Sequence, residues 1–192
     1  MFKKHSSHAL RAAVCAALAA LSCALPAAAQ QKSVAVTSIV EHPALDAVRD
    51  GVKEALQKAG LEDGKTLRWQ YQTAQGNAGT AGQIARKFVG DQPDVIVAIS
   101  TPSAQALLAT TKNIPIVFSA VTDPVAGQLT PSWDASGTNV TGVSNALDLT
   151  KQAEMIRRIL PQAKRVGVVY NPGEANSCLL YTSDAADDLL CV

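Results

Sequence analysis

Four apolar runs in this chain each end in small hydroxyl residues. They are VAVTS at 34–38, VIVAISTPS at 95–103, IPIVFSAVT at 114–122 and NVTGVSN at 139–145. Short runs of Val, Ile and Ala that stop at turn residues are typical of parallel strands buried on both faces. In an open α/β sheet, ligands bind in the crevice outside the carboxyl ends of the strands. The pattern therefore predicts a parallel sheet whose carboxyl edge carries hydroxyl groups suited to a small polar ligand.

Helical patterns alternate with these runs along the chain. The predicted strands cover residues 34–37, 65–73, 94–99, 114–118, 140–144 and 165–170, and the predicted helices cover 42–60, 78–90, 101–111 and 149–160. Apolar and polar residues alternate over 65–73, which indicates a half-exposed edge strand. Residues 123–139 are rich in Pro, Gly, Ser and Asp and predict a long loop. A repeated β–α unit implies the α/β class with a parallel sheet.

The amino-terminal residues have the pattern of a secretory signal peptide. Residues 1–11 are basic without an acid, residues 12–25 are apolar, and Ala27 and Ala29 form an A-x-A cleavage pattern. The apolar stretch is shorter than the roughly 20 residues that a membrane-spanning helix needs. We expect cleavage of residues 1–29 and export of the rest. Lipidation at Cys23 is the alternative, although the residues before it form a poor lipobox.

The carboxyl-terminal residues do not continue the pattern that precedes them. The segment CLLYTSDAADDLLCV at 178–192 follows abruptly, and residues 178–187 back-translate to a transposon-end adapter used in sequencing libraries. We expect this tail to be non-native and the chain to be a fragment. The expected organisation is a ligand-binding lobe at 33–145 and the beginning of a truncated second lobe at 146–177, whose first strand is 165–170.

Composition excludes several classes of function. All four cysteines lie in the two terminal segments, and His42 is the only histidine of the body. A His/Cys metal site is therefore excluded, and a serine nucleophile would have a single imidazole partner. Residues 30–177 carry 14 basic and 13 acidic side chains, a balance that favours neither nucleic acid nor an anionic membrane. Neither G-x-G-x-x-G nor G-x-x-x-x-G-K-[ST] is present, so we expect no cofactor.

The segment Ser100-Thr101-Pro102-Ser103 stands where a predicted strand turns into a helix. Free backbone N–H groups and the helix dipole make such a place a carboxylate or phosphate site. The alternative is that Ser100 or Thr101 only caps its own helix. Since several neighbouring strands also end in hydroxyl residues, the pattern favours binding.

Thr122 and Asp123 follow the next strand in the same way. Asp123 could receive a ligand amine or hydroxyl, or Asp-Pro could simply open a turn.

A pairing of Ser38 with His42 would suggest a hydrolase, but the G-x-S-x-G elbow is absent and His42 suits a helix N-terminus. The aromatic residues Trp69, Tyr71 and Trp133 are assigned to packing.

The sequence resembles a known family along residues 33–177. The segments VAVTSIVEHPALDAVRDGVKEAL, VIVAISTPSAQAL, IPIVFSAVTDPVAGQL, NVTGVSN and RVGVVYNPGEANS are similar to ABC-transporter substrate-binding proteins of the tryptophan/tyrosine type. The resemblance implies a type I periplasmic-binding-protein fold, in which two Rossmann-like lobes close on a small ligand and present it to a membrane permease. It implies capture of an amino acid or similar small polar solute, without catalysis, in the periplasm.

The resemblance also implies which residues face the ligand. From the first lobe they are Thr37, Ser38, Ser100, Thr101, Thr122, Asp123 and Ser144, and from the second they are Asn171, Pro172, Glu174, Asn176 and Ser177. Two alternative functions remain open at this point. One is a periplasmic ligand sensor of the same fold, and the other is an exported α/β hydrolase or phosphatase.

Overall fold

The computed structural model describes residues 31–134, 137–146, 148–167 and 169–177. Its elements are, in chain order, β1 (Lys32–Ser38), α1 (Pro43–Lys58), β2 (Leu67–Thr73), α2 (Ala78–Asp91), β3 (Val95–Ile99), α3 (Thr101–Leu108), β4 (Ile116–Val121), β5 (Val140–Ser144) and α4 (Leu149–Ile159). The expected signal peptide at 1–29 and the expected non-native tail at 178–192 lie outside the described residues. Both therefore stay predictions.

The five strands form one parallel sheet in the order β2-β1-β3-β4-β5. In register, Val36 of β1 lies between Tyr71 of β2 and Val97 of β3. The predicted α/β class with a parallel sheet is confirmed. The edge position predicted for residues 65–73 is confirmed too, because β2 pairs with β1 on one side and with no other strand of the described chain.

Side chains of the sheet alternate between two apolar clusters on opposite faces. On one face, helices α2 and α3 cover the strands, and Phe88 and Leu107 are fully buried there. On the other face, α1 covers β1, β2 and β3 with half-buried Val48, Val52 and Leu56. Full burial of a side chain of this size contributes roughly 1.5–3 kcal/mol. The two faces together hold the strand ends in fixed positions, which is what a binding site at the sheet edge requires.

Helices α1 and α2 begin with side-chain caps. His42 Nδ1 accepts from Ala44 N at 3.2 Å, with Pro43 as the first helical residue. Asn77 Oδ1 accepts from Thr80 N at 2.9 Å. Each cap satisfies one of the N–H groups that the first turn of a helix leaves unpaired. The assignment of His42 to a helix N-terminus is confirmed.

The amino edge of the sheet is closed by reciprocal hydrogen bonds between β1 and the residue before β3. Ser33 N donates to Asp94 Oδ2 at 2.7 Å, the Ser33 hydroxyl donates to the same oxygen at 3.0 Å, and Asp94 N donates to Ser33 Oγ at 3.0 Å. The hydrogen bonds from Ser33 lower the pKa of Asp94 below its ordinary value. The positive charge of Lys32, whose Nζ lies 3.9 Å from Asp94 Oδ1, lowers it further. The polar groups of Ser33 and Asp94 at this edge are therefore hydrogen-bonded to each other.

The structure extends β4 beyond the predicted strand at 114–118. The register between β4 and β5 shifts between Phe118 and Val121, where Ala120 adopts φ +54°. Such a bulge adds one residue to a strand and redirects the side chains that follow. The apolar pattern does not reveal it, and the real strand ends three residues later than predicted. Helix α3 ends at Leu108 rather than at residue 111.

The prediction of a buried strand at 165–170 is wrong. The described residues of this segment belong to no strand, and Val169 and Tyr170 are exposed. A strand buried on both faces needs a neighbouring strand and covering helices. The five-stranded sheet of the described residues does not include this segment. Helix α4, predicted at 149–160, is confirmed, although its Met155 and Ile159 are also exposed.

Candidate functional site

The carboxyl edge of the sheet brings together the hydroxyl residues of β1 and β3. Thr37 and Ser38 lie in register with Ala98 and Ile99, and Ser100 follows directly. Thr37, Ser38 and Thr101 are almost completely buried, with exposed fractions of 3%, 1% and 2%. Burial of hydroxyl groups at a strand end is unusual, because it removes them from water and obliges them to find partners.

Two of these buried hydroxyl groups have no hydrogen-bond partner within the described part of the chain. They are Thr37 Oγ1 and Thr101 Oγ1. Leaving a buried hydroxyl unpaired costs roughly 1–3 kcal/mol, so a native chain rarely keeps two of them without a reason. Ser38, by contrast, is satisfied, since its hydroxyl donates to Val40 O at 2.9 Å. The two hydroxyls without partners among the described residues make this edge the candidate site.

Ser100 joins β3 to α3 with a strained backbone. Its φ is +86° and its ψ is 156°, a combination that is essentially restricted to glycine and costs roughly 1–3 kcal/mol. Ser100 N donates to Ser119 O of β4 at 2.9 Å, which holds the strained turn against the neighbouring strand. The sheet therefore keeps in place a conformation that the isolated sequence would avoid.

Helix α3 begins without the side-chain cap that α1 and α2 have. Ser100 occupies the N-cap position but makes no side-chain cap bond, and its hydroxyl lies 3.5 Å from the hydroxyl of Ser103. The capping role weighed as the alternative for Ser100 is therefore wrong. Since Pro102 has no N–H, the amide groups of Thr101 and Ser103 are the donors that this uncapped first turn offers to an anion.

Asp123 opens the turn that follows β4. Its Oδ1 accepts from Val125 N at 2.8 Å and from Ala126 N at 2.9 Å. The turn-opening role considered for Asp123 is therefore present, and contact with a ligand stays a prediction. Ser144 is also engaged with the backbone, because its hydroxyl donates to the carbonyl of half-buried Thr122 at 2.9 Å. These two residues fix the shape of the edge around β4 and β5.

The candidates at the carboxyl end of the described chain form a separate local turn. Asn171 Nδ2 donates to Glu174 Oε1 at 3.1 Å, and Asn171 Oδ1 accepts from Gly173 N at 3.0 Å. No hydrogen bond joins Asn171, Glu174, Asn176 or Ser177 to the sheet edge among the residues that the structure describes. Pro172 lies in the same turn. Residues 174–177 are half-buried, and Asn176 Oδ1 is buried without a hydrogen-bond partner among the described residues, so the ligand role of this group stays a prediction.

A cavity of about 470 Å³ lies beside β5 and reaches Ser144 at the carboxyl edge. Phe118, Pro124, Trp133 and Val143 contribute its apolar lining, and the Trp133 side chain is 60% exposed. The sequence interpretation assigned Trp133 to packing and gave it no ligand role. Its place in a Pro-, Gly- and Ser-rich loop directly before a hydroxyl-ended strand is the signal that could have indicated a cavity residue.

Gly142 allows the close contact of β4 and β5 beside this cavity. A Cβ atom at position 142 would overlap the backbone oxygen and the ring of Phe118. A larger residue at this position would therefore force the two strands apart.

Neither a metal cluster nor a membrane span is found in the described ranges. They contain no group of three or more His, Cys, Asp or Glu side chains arranged to hold a metal ion. None of their helices is both long and apolar enough to cross a bilayer.

A family model for ABC transporter substrate binding proteins matches residues 33–182. The chain belongs to this family. Family membership confirms the resemblance that the sequence indicated, which is to substrate-binding proteins.

Individual relatives support the assignment. A tyrosine-binding protein of Clostridioides difficile is 45% identical over 77% of this chain and 43% of its own length. A solved conserved domain protein of Vibrio cholerae is 51% identical, with a TM-score of 0.81 over 85% of this chain and 56% of that one. A solved ABC domain of Streptococcus pneumonia in complex with L-Trp is 28% identical, with a TM-score of 0.78 and the same two shares.

The chain thus spans about half the length of the relatives that it matches. A leucine-binding protein of Thermotoga maritima, 18% identical with a TM-score of 0.55 over 78% of this chain and 43% of its own, shows the fold alone. The fold is that of the type I periplasmic binding proteins, as the sequence predicted.

Proposed function

We propose that the carboxyl edge of this sheet captures an amino acid for an ABC importer by holding the ligand carboxylate at the start of α3. The observation that carries the proposal is the uncapped first turn of α3 next to two buried hydroxyl groups that have no partner among the residues the structure describes. A carboxylate accepts several hydrogen bonds at once and is stabilised by the positive end of a helix dipole. It is therefore the ligand group that best complements this edge.

The burial of the site affects how strongly it would bind a ligand carboxylate. Hydrogen bonds to a charged group contribute roughly 1.5–3 kcal/mol each, more than neutral ones do, and water competes little at buried sites. Thr37 and Thr101 are more than nine-tenths buried, so an incoming carboxylate would meet donors that are already desolvated. The backbone of Ser100 is already held in its strained conformation by the bond to Ser119 before the ligand arrives, which lowers the entropy cost of binding.

An aromatic amino acid is the ligand class that we propose. Two relatives are a tyrosine-binding protein and a domain solved with L-Trp. The cavity beside β5 has an apolar lining that includes Trp133 and Phe118, and it reaches Ser144 at the same edge. A carboxylate at α3 and a ring against Trp133 would place the two ends of one small ligand on neighbouring parts of the sheet.

The permease partner and the location belong to the same proposal. Family membership supports a membrane permease that receives the ligand. The basic, apolar and A-x-A pattern of residues 1–29 supports export to the periplasm through a cleaved signal peptide.

The proposal is tested by NMR titration of the chain with acetate, indole and L-tryptophan. Contacts from one sheet edge predict a dissociation constant on the order of 1 mM, about −4 kcal/mol, which NMR measures readily. Acetate should shift the amide signals of Thr101 and Ser103, indole should shift those around Trp133, and L-tryptophan should shift both sets.

The Thr101→Val variant should weaken L-tryptophan binding about tenfold or more, because it removes a donor to a charged group. Thr150→Val, an exposed threonine on α4, is the matched control and should bind as the parent does. If L-tryptophan leaves the α3 amides unshifted, or if Thr101→Val binds as the parent does, the proposed site is wrong.

A further inference from the structure

We propose that Gln105 and Gly127 are positioning residues that fix the side-chain rotamer of Thr101, and with it the place of its buried hydroxyl at the start of α3. The proposal rests on the proposed function only in naming a ligand carboxylate as the partner of the Thr101 hydroxyl. The placement of Gln105 and Thr101 of α3 against Gly127, in the turn that follows β4, does not depend on that function.

Gln105 ties this turn to α3. It lies four residues after Thr101, so both side chains project from the same side of the helix. The Gln105 Nε2 group donates to Gly127 O at 2.9 Å across 22 residues of chain. This hydrogen bond therefore fixes the distance between the helix face that carries Thr101 and the turn opposite it.

Gly127 provides the space that the methyl group of Thr101 occupies. A Cβ atom at position 127 would lie 3.1 Å from Thr101 Cγ2 and 2.9 Å from Asp123 O. The methyl and hydroxyl groups of threonine share one Cβ atom, so packing the methyl against the turn directs the hydroxyl away from it. Thr101 Oγ1, on the other branch of the same Cβ atom, is buried and has no hydrogen-bond partner among the described residues.

The turn is rigid enough to act as the fixed side of this contact. Gly127 N donates to Asp123 O at 3.0 Å, and Leu129 N donates to Pro124 O at 2.8 Å. The carboxylate of Asp123 also caps the turn from within. Because the turn has few internal freedoms, one hydrogen bond from Gln105 suffices to position all of it.

The rotamer of Thr101 can be measured without a ligand. The three-bond couplings from Thr101 Cγ2 to its own amide nitrogen and carbonyl carbon report whether the side chain holds one rotamer. We expect one rotamer in the parent chain and averaging over several in Gln105→Met, which keeps the length of the side chain but loses the donor. Gln57→Met on the exposed face of α1 is the matched control and should change nothing at Thr101. Couplings that are identical in the parent and in Gln105→Met would overturn the proposal.

Binding measurements separate positioning from a general loss of structure. Gln105→Met should weaken L-tryptophan binding about fivefold, the equivalent of one hydrogen bond. In Thr101→Val, where no hydroxyl is left to position, adding Gln105→Met should cause no further loss. Independent, additive losses from the two substitutions would contradict the positioning role. If Thr101→Val alone leaves binding unchanged, the proposed carboxylate site fails, while the couplings still decide whether Gln105 fixes the rotamer.

The Gly127→Ala variant tests in a second way whether this turn fixes the rotamer of Thr101. Its Cβ would press on Thr101 Cγ2, so the couplings should report a different rotamer of Thr101. A parent-like rotamer in a folded Gly127→Ala variant would count against the proposal.

Discussion

The amino ends and the carboxyl ends of the same strands form two edges of the sheet, and the polar groups at these two edges differ in their hydrogen bonding. At the amino edge, Ser33 and Asp94 satisfy each other through backbone and side-chain hydrogen bonds. At the carboxyl edge, Thr37 and Thr101 are buried without partners in the described part of the chain, and Ser100 is strained. The amino edge therefore contributes to stability, whereas the unpaired hydroxyls and the strained backbone of the carboxyl edge reduce it.

The largest expected effect tests the carboxyl edge. Replacing both unpaired hydroxyls, in Thr37→Val/Thr101→Val, should raise the free energy of unfolding by about 2 kcal/mol or more, because each unpaired hydroxyl costs roughly 1–3 kcal/mol. Urea denaturation of the parent and the double variant measures the difference. Thr150→Val on α4 should change it by less than about 0.5 kcal/mol. A double variant less stable than the parent would mean that these hydroxyls have partners in solution.

A smaller effect of opposite sign is expected at the amino edge. Asp94→Ala removes the acceptor of the Ser33 amide and hydroxyl, and should lower the free energy of unfolding by about 1 kcal/mol, since the carboxylate is half-exposed. Glu41→Ala, a change at an exposed acid before α1, is the control for loss of charge. Equal stabilities of the parent and Asp94→Ala would remove the contrast between the two edges.

The smallest effect is the pH dependence of the amino edge. Hydrogen bonds from Ser33 lower the pKa of Asp94 below its ordinary value of 3.8. Between the folded and unfolded pKa values, the unfolded chain binds more protons, so the contribution of Asp94 is complete above 3.8 and is lost as the pH falls through the lower folded pKa. The stability difference between the parent and Asp94→Asn should therefore shrink at acid pH. A difference independent of pH would show that Asp94 contributes no ionised acceptor.

The strands of the core and the start of α1 could be predicted from the sequence. Apolar runs that end at turn residues are a local signal, and His42-Pro43 indicates a helix start without help from the rest of the chain. The hydroxyl-lined edge followed from them, because parallel strands bring their carboxyl ends to one side. The fold class and the location of the candidate site were therefore within reach of sequence reasoning.

The remaining features depend on contacts between distant segments. The positive φ of Ser100 and the bulge at Ala120 arise where β3, β4 and β5 constrain one another, and no local pattern encodes them. The hydrogen bond from Gln105 to Gly127 joins a helix to a turn 22 residues away. The error at 165–170 has the same origin, because an apolar run becomes a strand only beside another strand.

The backbone of Ser100 has a consequence for how this position would respond to selection. Glycine adopts its φ of +86° without strain, so a display library randomised at residue 100 and sorted for folded chains alone should enrich glycine. The same library sorted for capture of an amino acid tests whether the Ser100 hydroxyl also contacts the ligand, in which case serine should be recovered. The residue recovered at this one position would report which of the two demands the sorting imposed.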